Sequence, residues 1–480
     1  MCNDTKLYDG MMNYEEYIEL KKKLHVYLQS VDIQSMLNLS NELITGIEEH
    51  LLTKIQFREF YTKSMLYYVI GYLGGIIFSC FFKRNRYCRC NDKDALEKKV
   101  ILISARALYN RFQNLAQMSE DYGVVYMPDI SYENMDKHLE EHELKGNSVY
   151  VISHSFIDCI LFILAIFKLI PTFIRIKKYS HNNELDQFCI DRLVLVSLLK
   201  FVAGNIVIRN KFKRSDTVFV SDYDKSIDLL ILKHHREQYG INYRIGSLNH
   251  GAFVGFNLSY VCPCADFIMC TCNREVELTK KFLHSNSINI NAVGAPLQSF
   301  VDNYQSITAA TESKGYLVLG TFAEGEWKEN QKKLIRYIKS MGLEFKYRLR
   351  PASMDHDLRE LSDILNLDDC TCNTTLSEDC DRFQNIITFS LDALNSCIRK
   401  TRNILIYVPQ KVYDNYSPLG EDSDQIIITP VWNDVKSFLD KKHEESKYNE
   451  KTKQWITDNV GEQDFDKVVE NIKKVINHYL

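Results

Sequence analysis

The stretch Thr217–Gly251, TVFVSDYDKSIDLLILKHHREQYGINYRIGSLNHG, decides the fold. Thr217–Ser221 is a short apolar run of the kind found in strands buried on both faces of a parallel sheet. Ser226–Tyr239 reads as a helix and Tyr243–Leu248 as a second strand, so the stretch is a strand–helix–strand unit. The same texture extends upstream, with strands at Lys99–Ser104, Gly123–Met127 and Ser148–Ser153 and a helix at Ala107–Glu120. Downstream, Phe267–Cys270 and Ile288–Val293 continue it.

A polar stretch, Asn303–Lys314, reads as a linker, and alternation then restarts. Strands are expected at Gly315–Leu319, Glu344–Leu349, Asn385–Phe389 and Asn403–Tyr407, with a helix at Glu329–Met341 and charged helices from Asp434 to Leu480. Two successive βαβ systems predict an α/β protein of two doubly wound, Rossmann-type domains facing each other across a cleft. The expected boundaries are a helical N-terminal extension over 1–95, a first Rossmann-like domain over 96–302 and a second over 315–480 with terminal helices.

At 480 residues the chain has room for two to four domains. Its 45% hydrophobic and 25% charged residues exclude a disordered or collagen-like chain. The 59 basic and 63 acidic residues leave a net charge of −4, with no basic excess for nucleic acid. Fourteen cysteines fall partly in Cys-x-Cys pairs such as Cys262/Cys264 and Cys270/Cys272, a spacing that favours neither a disulfide nor a zinc knuckle. The first 20 residues are polar and acidic, unlike a signal peptide, so reduced cytosolic thiols are expected.

Two stretches are apolar enough to meet a membrane. Ser64–Phe82 is uncharged and lies between Lys63 and the basic Lys83, Arg84 and Arg86; it reads either as a membrane-associated segment or as a buried helix. Phe156–Ile174 contains Asp158, Lys168 and Pro171 and runs into Arg175, Lys177 and Lys178, which suits docking on an anionic leaflet better than crossing it. The expected location is the cytoplasm, at the inner face of the cell membrane.

The chemistry-bearing residues stand at strand ends, in a fixed order. Val218–Ser221 runs into Asp222, Gly246–Asn249 into His250 and Gly251, Ala265-Asp266 opens a strand, and Val293-Gly294-Ala295-Pro296 closes the first system. Ligands in open α/β sheets sit outside the carboxyl ends of strands, where Asp222 and His250 fall. Either could take a proton from an attacking hydroxyl. The alternative is that Asp222 caps the next helix and His250 caps a loop.

This order resembles the GT-B glycosyltransferases that build bacterial surface polysaccharides, including polysialyltransferase-like and CDP-glycerol glycerophosphotransferase-like enzymes. Their pattern has a Ser-Asp strand end, a Gln-His-Gly strand end, an Ala-Asp strand start and a Val-Gly-x-Pro junction; here Asn249 stands in place of the Gln. The resemblance spans Lys98 to Tyr407. It implies transfer of a sugar from a nucleotide-sugar donor to a glycan or glycolipid acceptor, with His250 and then Asp222 as the acceptor-activating residues. On the donor side, Gly320-Thr321 and Glu324 follow a strand, and a Gly/Thr loop there can turn backbone N–H groups to phosphate. Arg348 and Arg350 precede Pro351 where the resembled enzymes carry a Lys/Arg-x-His-Pro phosphate motif, with Arg350 replacing the histidine. A guanidinium can pair with phosphate in two-point fashion. Ser390 stands where those enzymes have a hydroxyl pair before a helix, although Leu391 replaces the second hydroxyl; as an alternative, Ser390 is an N-cap.

No His-Glu-x-x-His, Walker or Asp-x-Asp metal motif stands out, and His234-His235 are adjacent on a helix and share no face. A metal-independent reaction with no cofactor is therefore expected. The rival readings are a CDP-polyol phosphotransferase on the same scaffold and an inactive scaffold in a polysaccharide assembly complex.

Overall fold

The computed structural model describes residues 14–56, 63–81, 93–104, 115, 119–126, 149–151, 154–180, 185, 189–209, 211–221, 227–249, 264–283, 287–294, 313–321, 325–349, 354–371, 374, 376–389, 394–398, 403–415, 419–420, 422–441, 448–462 and 464–480. The extension is helical, as expected: α1 (Tyr14–Val31), α2 (Ile33–Leu37), α3 (Asn41–Gln56) and α4 (Met65–Phe81). A parallel sheet follows, built from β1 (Val100–Ser104), β2 (Tyr122–Tyr126), β3 (Val149–Val151), β4 (Val218–Ser221), β5 (Arg244–Leu248), β6 (Phe267–Cys270) and β7 (Asn289–Ala292). Its order is β3-β2-β1-β4-β5-β6-β7. Between β3 and β4 the chain makes α5 (Phe156–Ser180) and α6 (Ile190–Ile208). Helix α7 (Asp228–Tyr239) links β4 to β5, and α8 (Asn273–Leu283) links β6 to β7. The expected helix at Ala107–Glu120 lies mostly outside the described residues.

The second sheet contains β8 (Ser313–Leu319), β9 (Phe345–Arg348), β10 (Cys370–Thr371), β11 (Phe383–Thr388), β12 (Asn403–Tyr407) and β13 (Ile426–Thr429). All its pairings are parallel, in the order β10-β9-β8-β11-β12-β13. Its helices are α9 (Gly325–Ser340), α10 (Met354–Glu360), α11 (Leu376–Arg382), α12 (Leu394–Cys397), α13 (Gln410–Asn415), α14 (Trp432–Asp440), α15 (Glu450–Asn459) and α16 (Phe465–Asn477). Strands β10 and β13 escaped the sequence reading: one has two residues, and the other is a four-residue apolar run against the linker-like segment before α14.

Alternation along the strands divides each core in two. In the first sheet Ile101, Ile103, Phe219, Ile245 and Ile268 face one way, toward the apolar sides of α1, α3, α6 and α7. Val100, Leu102, Val124, Val218, Val220, Leu248 and Met269 face the other way. Among the described residues this second face is covered by Leu115 and by a helix from the far end of the sequence, through Val468, Val469, Ile472 and Ile476 of α16. The boundary of 315–480 grouped α16 with the second sheet, but its apolar side packs on the first. Burial of four aliphatic side chains contributes on the order of 6–12 kcal/mol before the entropy of ordering the segment.

The return is locked at close range. Tyr479 stacks on Phe267 with ring centroids 4.2 Å apart, and Asn471 Nδ2 donates to the Val293 carbonyl at 3.3 Å. Asn273 Nδ2 donates to Asp458 Oδ1 at 3.0 Å, tying α8 to α15. Two left-handed glycines make the approach possible, Gly294 at φ 106° and Gly461 at φ 105°. A Cβ on Gly461 would lie 2.0 Å from the Thr271 carbonyl oxygen. The Val-Gly junction expected as a strand end is therefore one wall of the contact through which the chain re-enters its first domain.

Gly461→Ala should combine backbone strain with a backbone clash and destabilise the protein by ~3 kcal/mol. Gly342 also has positive φ, at 64°, with open space around its α-carbon, so Gly342→Ala should cost only ~1 kcal/mol. Urea unfolding of both variants checks this; equal losses would mean that the Gly461–Thr271 contact is not rigid.

Candidate active site

Both sheets have a switch point, between β1 and β4 in the first and between β8 and β11 in the second, where strand order reverses. In open α/β sheets ligands bind at such points, outside the carboxyl ends of the strands. Register fixes which residues meet. Thr388 of β11 lies opposite Leu319 of β8, so Gly320-Thr321 leaves the sheet beside Phe389, one residue before Ser390. In the first sheet Ser221 lies opposite Ser247, which puts the exit toward Asp222 next to the strand that ends just before Asn249 and His250. Asp222, His250, Glu324, Arg350 and Ser390 themselves lie outside the described residues.

The Gly320-Thr321 turn is built on a buried cushion. Tyr347 donates its hydroxyl to Gln331 Oε1 at 2.5 Å, and both residues are fully buried. Burial pushes the Tyr347 phenol above its ordinary range. A Cβ on Gly320 would stand 2.4 Å from the Tyr347 hydroxyl, so only glycine fits above the ring. The N–H of Gly320 donates to the Arg348 carbonyl at 2.9 Å, and that of Thr321 to Gln331 Oε1 at 3.2 Å. This corrects the reading of the turn as a source of free N–H groups: both donors are committed to its own support.

Arg348 is also committed. Its Nη1 donates to the Thr374 carbonyl at 2.8 Å and forms an ion pair with Asp379, whose side chain is fully buried. Asp379 accepts in addition from Thr371 Oγ1 at 2.8 Å and Thr374 Oγ1 at 2.6 Å. The guanidinium thus fastens β9 to β10 and to α11, just before the chain reaches Arg350. Removing one partner of such a pair strands a buried charge.

Below the first sheet's edge lies a polar cluster that the sequence reading missed. Asn249 is fully buried; its N–H donates to the Met269 carbonyl at 2.8 Å and its Nδ2 to Cys270 Sγ at 3.6 Å. Glu275, in the first turn of α8, accepts from the Thr271 N–H at 2.8 Å through Oε2. Among the described residues its Oε1 finds no hydrogen-bond partner, with the Asn249 carboxamide as its polar neighbour. Burial pushes the Glu275 carboxyl up to about 7, against the opposing pull of the Thr271 N–H and Arg274. The signal in the sequence was a Thr and a Glu four residues apart where a strand gives way to a helix. Asp266, part of the expected motif order, sits at the opposite end of β6. There it accepts from the Ile245 N–H at 2.8 Å and pairs with Arg236 at 2.6 Å, a structural clasp between β5 and α7.

No protein-family model matches the chain. No curated protein matches it either. Among solved structures, UDP-N-acetylglucosamine 2-epimerase from Rickettsia bellii is similar at 11% identity and a TM-score of 0.43, over 80% of this chain and 96% of that one. The lipopolysaccharide outer core galactosyltransferase WaaB is similar at 10% and 0.44, over 79% and 99%. TarM from S. aureus is similar at 9% and 0.44, over 78% and 96%. These values carry no statement about activity. The GT-B-like, two-domain α/β architecture rests on the two strand orders and the returning helix.

Glu275 gives a pH signature. Its carboxyl titrates near 7 when folded and near the ordinary 4.5 when unfolded, so the folded state holds the extra proton between those values. Stability should be full below pH 4.5 and fall as pH rises through 7, by a total on the order of 3 kcal/mol. Glu275→Gln keeps an acceptor for Thr271 and adds a donor toward Asn249. Melting temperatures from pH 5 to 8 should show the variant gaining on the parent as pH rises; parallel curves would rule out a buried proton at Glu275.

Proposed function

We propose that the protein is a GT-B-type glycosyltransferase that moves a sugar from a nucleotide-sugar donor to a bacterial surface polysaccharide or glycolipid acceptor, at the inner face of the cell membrane. One observation carries this reading: register brings the exits toward Asp222 and His250 together on one sheet, and Gly320-Thr321 beside the exit toward Ser390 on the other. Those are the two places where a doubly wound pair can hold an acceptor and a donor. His250 takes the proton from the acceptor hydroxyl as it attacks the anomeric carbon, with Asp222 as the second carboxyl-edge group. On the donor side, Arg350 pairs with the diphosphate, and Ser390 and the Thr321 hydroxyl add hydrogen bonds. Glycine at 320 lets the turn sit directly on the buried Tyr347 ring, which fixes where Thr321 leaves the sheet. Arg348 acts through its ion pair, holding the strand end from which Arg350 leaves. Glu324 borders the same turn, before α9 begins at Gly325. Loss of the leaving nucleotide is stabilised by cationic and dipolar groups, with no metal required.

The CDP-polyol phosphotransferase reading uses the same scaffold and is separated by the product, a phosphodiester rather than a glycoside. An inactive scaffold would bind no nucleotide sugar at all.

A thermal-shift screen against UDP-, GDP-, CDP- and CMP-linked sugars should find one nucleotide class that stabilises the chain. Arg350→Ala should then weaken that donor by roughly 1.5–3 kcal/mol. His250→Ala should leave donor affinity in place and slow turnover ~10²–10⁴-fold. Stabilisation by none of the four classes, or near-normal turnover without the imidazole, would overturn the reading.

A further inference from the structure

Helices α4 and α5 pack side by side against α6 through Tyr72, Ile76, Phe162, Leu169, Leu195 and Leu199, all at most 5% exposed. Their outer sides have no cover among the described residues. Of the 20 exposed large hydrophobic residues among those described, 12 lie on these two helices. On α5 they recur at helical spacing along one stripe: Phe156 64%, Ile160 44%, Leu164 53%, Phe167 64% and Ile174 64% exposed. On α4 the matching stripe contains Leu66 66%, Ile70 59% and Ile77 40% exposed. A concentration on this scale far exceeds the scattered apolar side chains normal on a protein surface.

Charge selects the partner. Helix α4 has no charged residue. The one acid of α5, Asp158, is 7% exposed and is turned inward to the Ser155 N–H at 2.7 Å and hydroxyl at 2.8 Å. The exposed charged groups that α4 and α5 and their ends contribute are all basic: Lys63, Lys168, Arg175, Lys177 and Lys178. One half-exposed acid, Asp32, borders them and is paired with Arg175. A face of apolar stripes with a rim of net positive charge suits an anionic lipid surface.

Packing selects the orientation. Helix α5 is long and apolar enough to cross a bilayer. Its inner side, however, is fastened along the soluble domain. The Tyr27 hydroxyl of α1 donates to the Ile176 carbonyl at 3.5 Å, and Arg175 pairs with Asp32 at 2.8 Å. A crossing helix would draw the charged α1, YEEYIELKKKLHVYLQSV, into hydrocarbon, at about 2.5–3.5 kcal/mol for each basic or acidic residue at the centre. We propose that α4 and α5 form a single docking face that lies flat in one leaflet of an anionic bilayer, with the basic rim at the phosphates and neither helix spanning. This deepens the membrane part of the proposed function and is independent of the transfer reaction.

The full chain should float with phosphatidylcholine vesicles that contain phosphatidylglycerol, more weakly with phosphatidylcholine alone, and still in part at high salt. Leu164→Glu with Phe167→Glu should lower vesicle partition at least tenfold while leaving the donor-induced thermal shift unchanged. Both positions are solvent-exposed, so the variant should fold. Single tryptophans at Ile157, Phe167 and Ile174 supply a milder probe: lipids brominated near the carbonyl region should quench all three alike. Four results would overturn the proposal: no flotation, full release by salt, undiminished flotation of the glutamate variant, or strongest quenching of the 167 probe by chain-end bromines with shallow ends, which marks a span. A dimer that the glutamate variant dissociates, with no vesicle binding, would assign the face to a second copy. Vesicle binding without any donor response would leave this face intact and remove the transfer reading.

Discussion

Gly461 lies so close to the carbonyl of Thr271 that no side chain fits between them, and through that contact the chain crosses back from α15 to pack α16 on the first sheet. One side of the first sheet is covered by the extension and by α6 and α7, and on the other a row of valines, leucines and a phenylalanine packs, among the described residues, against α16 and Leu115. Helix α16 reaches that row where the chain passes Thr271 and Gly294 with two left-handed glycines. The second domain is thus bound at both ends to the first, by the segment before β8 and by the segment after α15. A change that loosens this crossing exposes the core of one domain and frees the other at once.

The same crossing reaches the candidate chemistry. Thr271, whose carbonyl meets Gly461, gives its N–H to Glu275, and Glu275 lies against Asn249, the residue before His250. The tether and the edge of the first sheet that leads to His250 therefore share one buried polar cluster. A carboxyl held near neutrality inside such a cluster has two protonation states of similar free energy at working pH. The Asn249 carboxamide is the neighbour that must answer each change.

Strands were legible where apolar runs of four or more stood between polar breaks. Val218–Ser221 and Arg244–Leu248 fall within a residue or two of where the composition put them. Cys370–Thr371 gave no run to read, and Ile426–Thr429 was hidden by the irregular segment around it. Helix α16 was recognisable as a helix, but a period of 3.6 names a face without naming what that face meets. Its destination is a contact across more than 170 residues, as between Asn471 and Val293. At the site, strand-end position was enough to pick out the exits toward Asp222 and His250. It could not tell that Arg348 is used up by Asp379, because the acid arrives from 31 residues further on. Nor could it tell that the Gly320 N–H is spent on the Arg348 carbonyl and the Thr321 N–H on the buried Gln331.

The two apolar helices make the same point from the other side. Composition alone left Ser64–Phe82 divided between membrane and core, and packing shows each helix to be both: one side is core, the other is bare. The net charge of −4 argued against polyanions for the whole molecule, yet charge acts locally, over about a Debye length of ~8–10 Å. Within that range of the α5 stripe the exposed side chains of the helix are basic, and its acid faces inward. On the proposed reading, an acceptor held in a lipid layer would meet a chain already lying on that layer. The search for substrate would then run in two dimensions, and α4 and α5 would decide which edge of the first sheet faces the lipid.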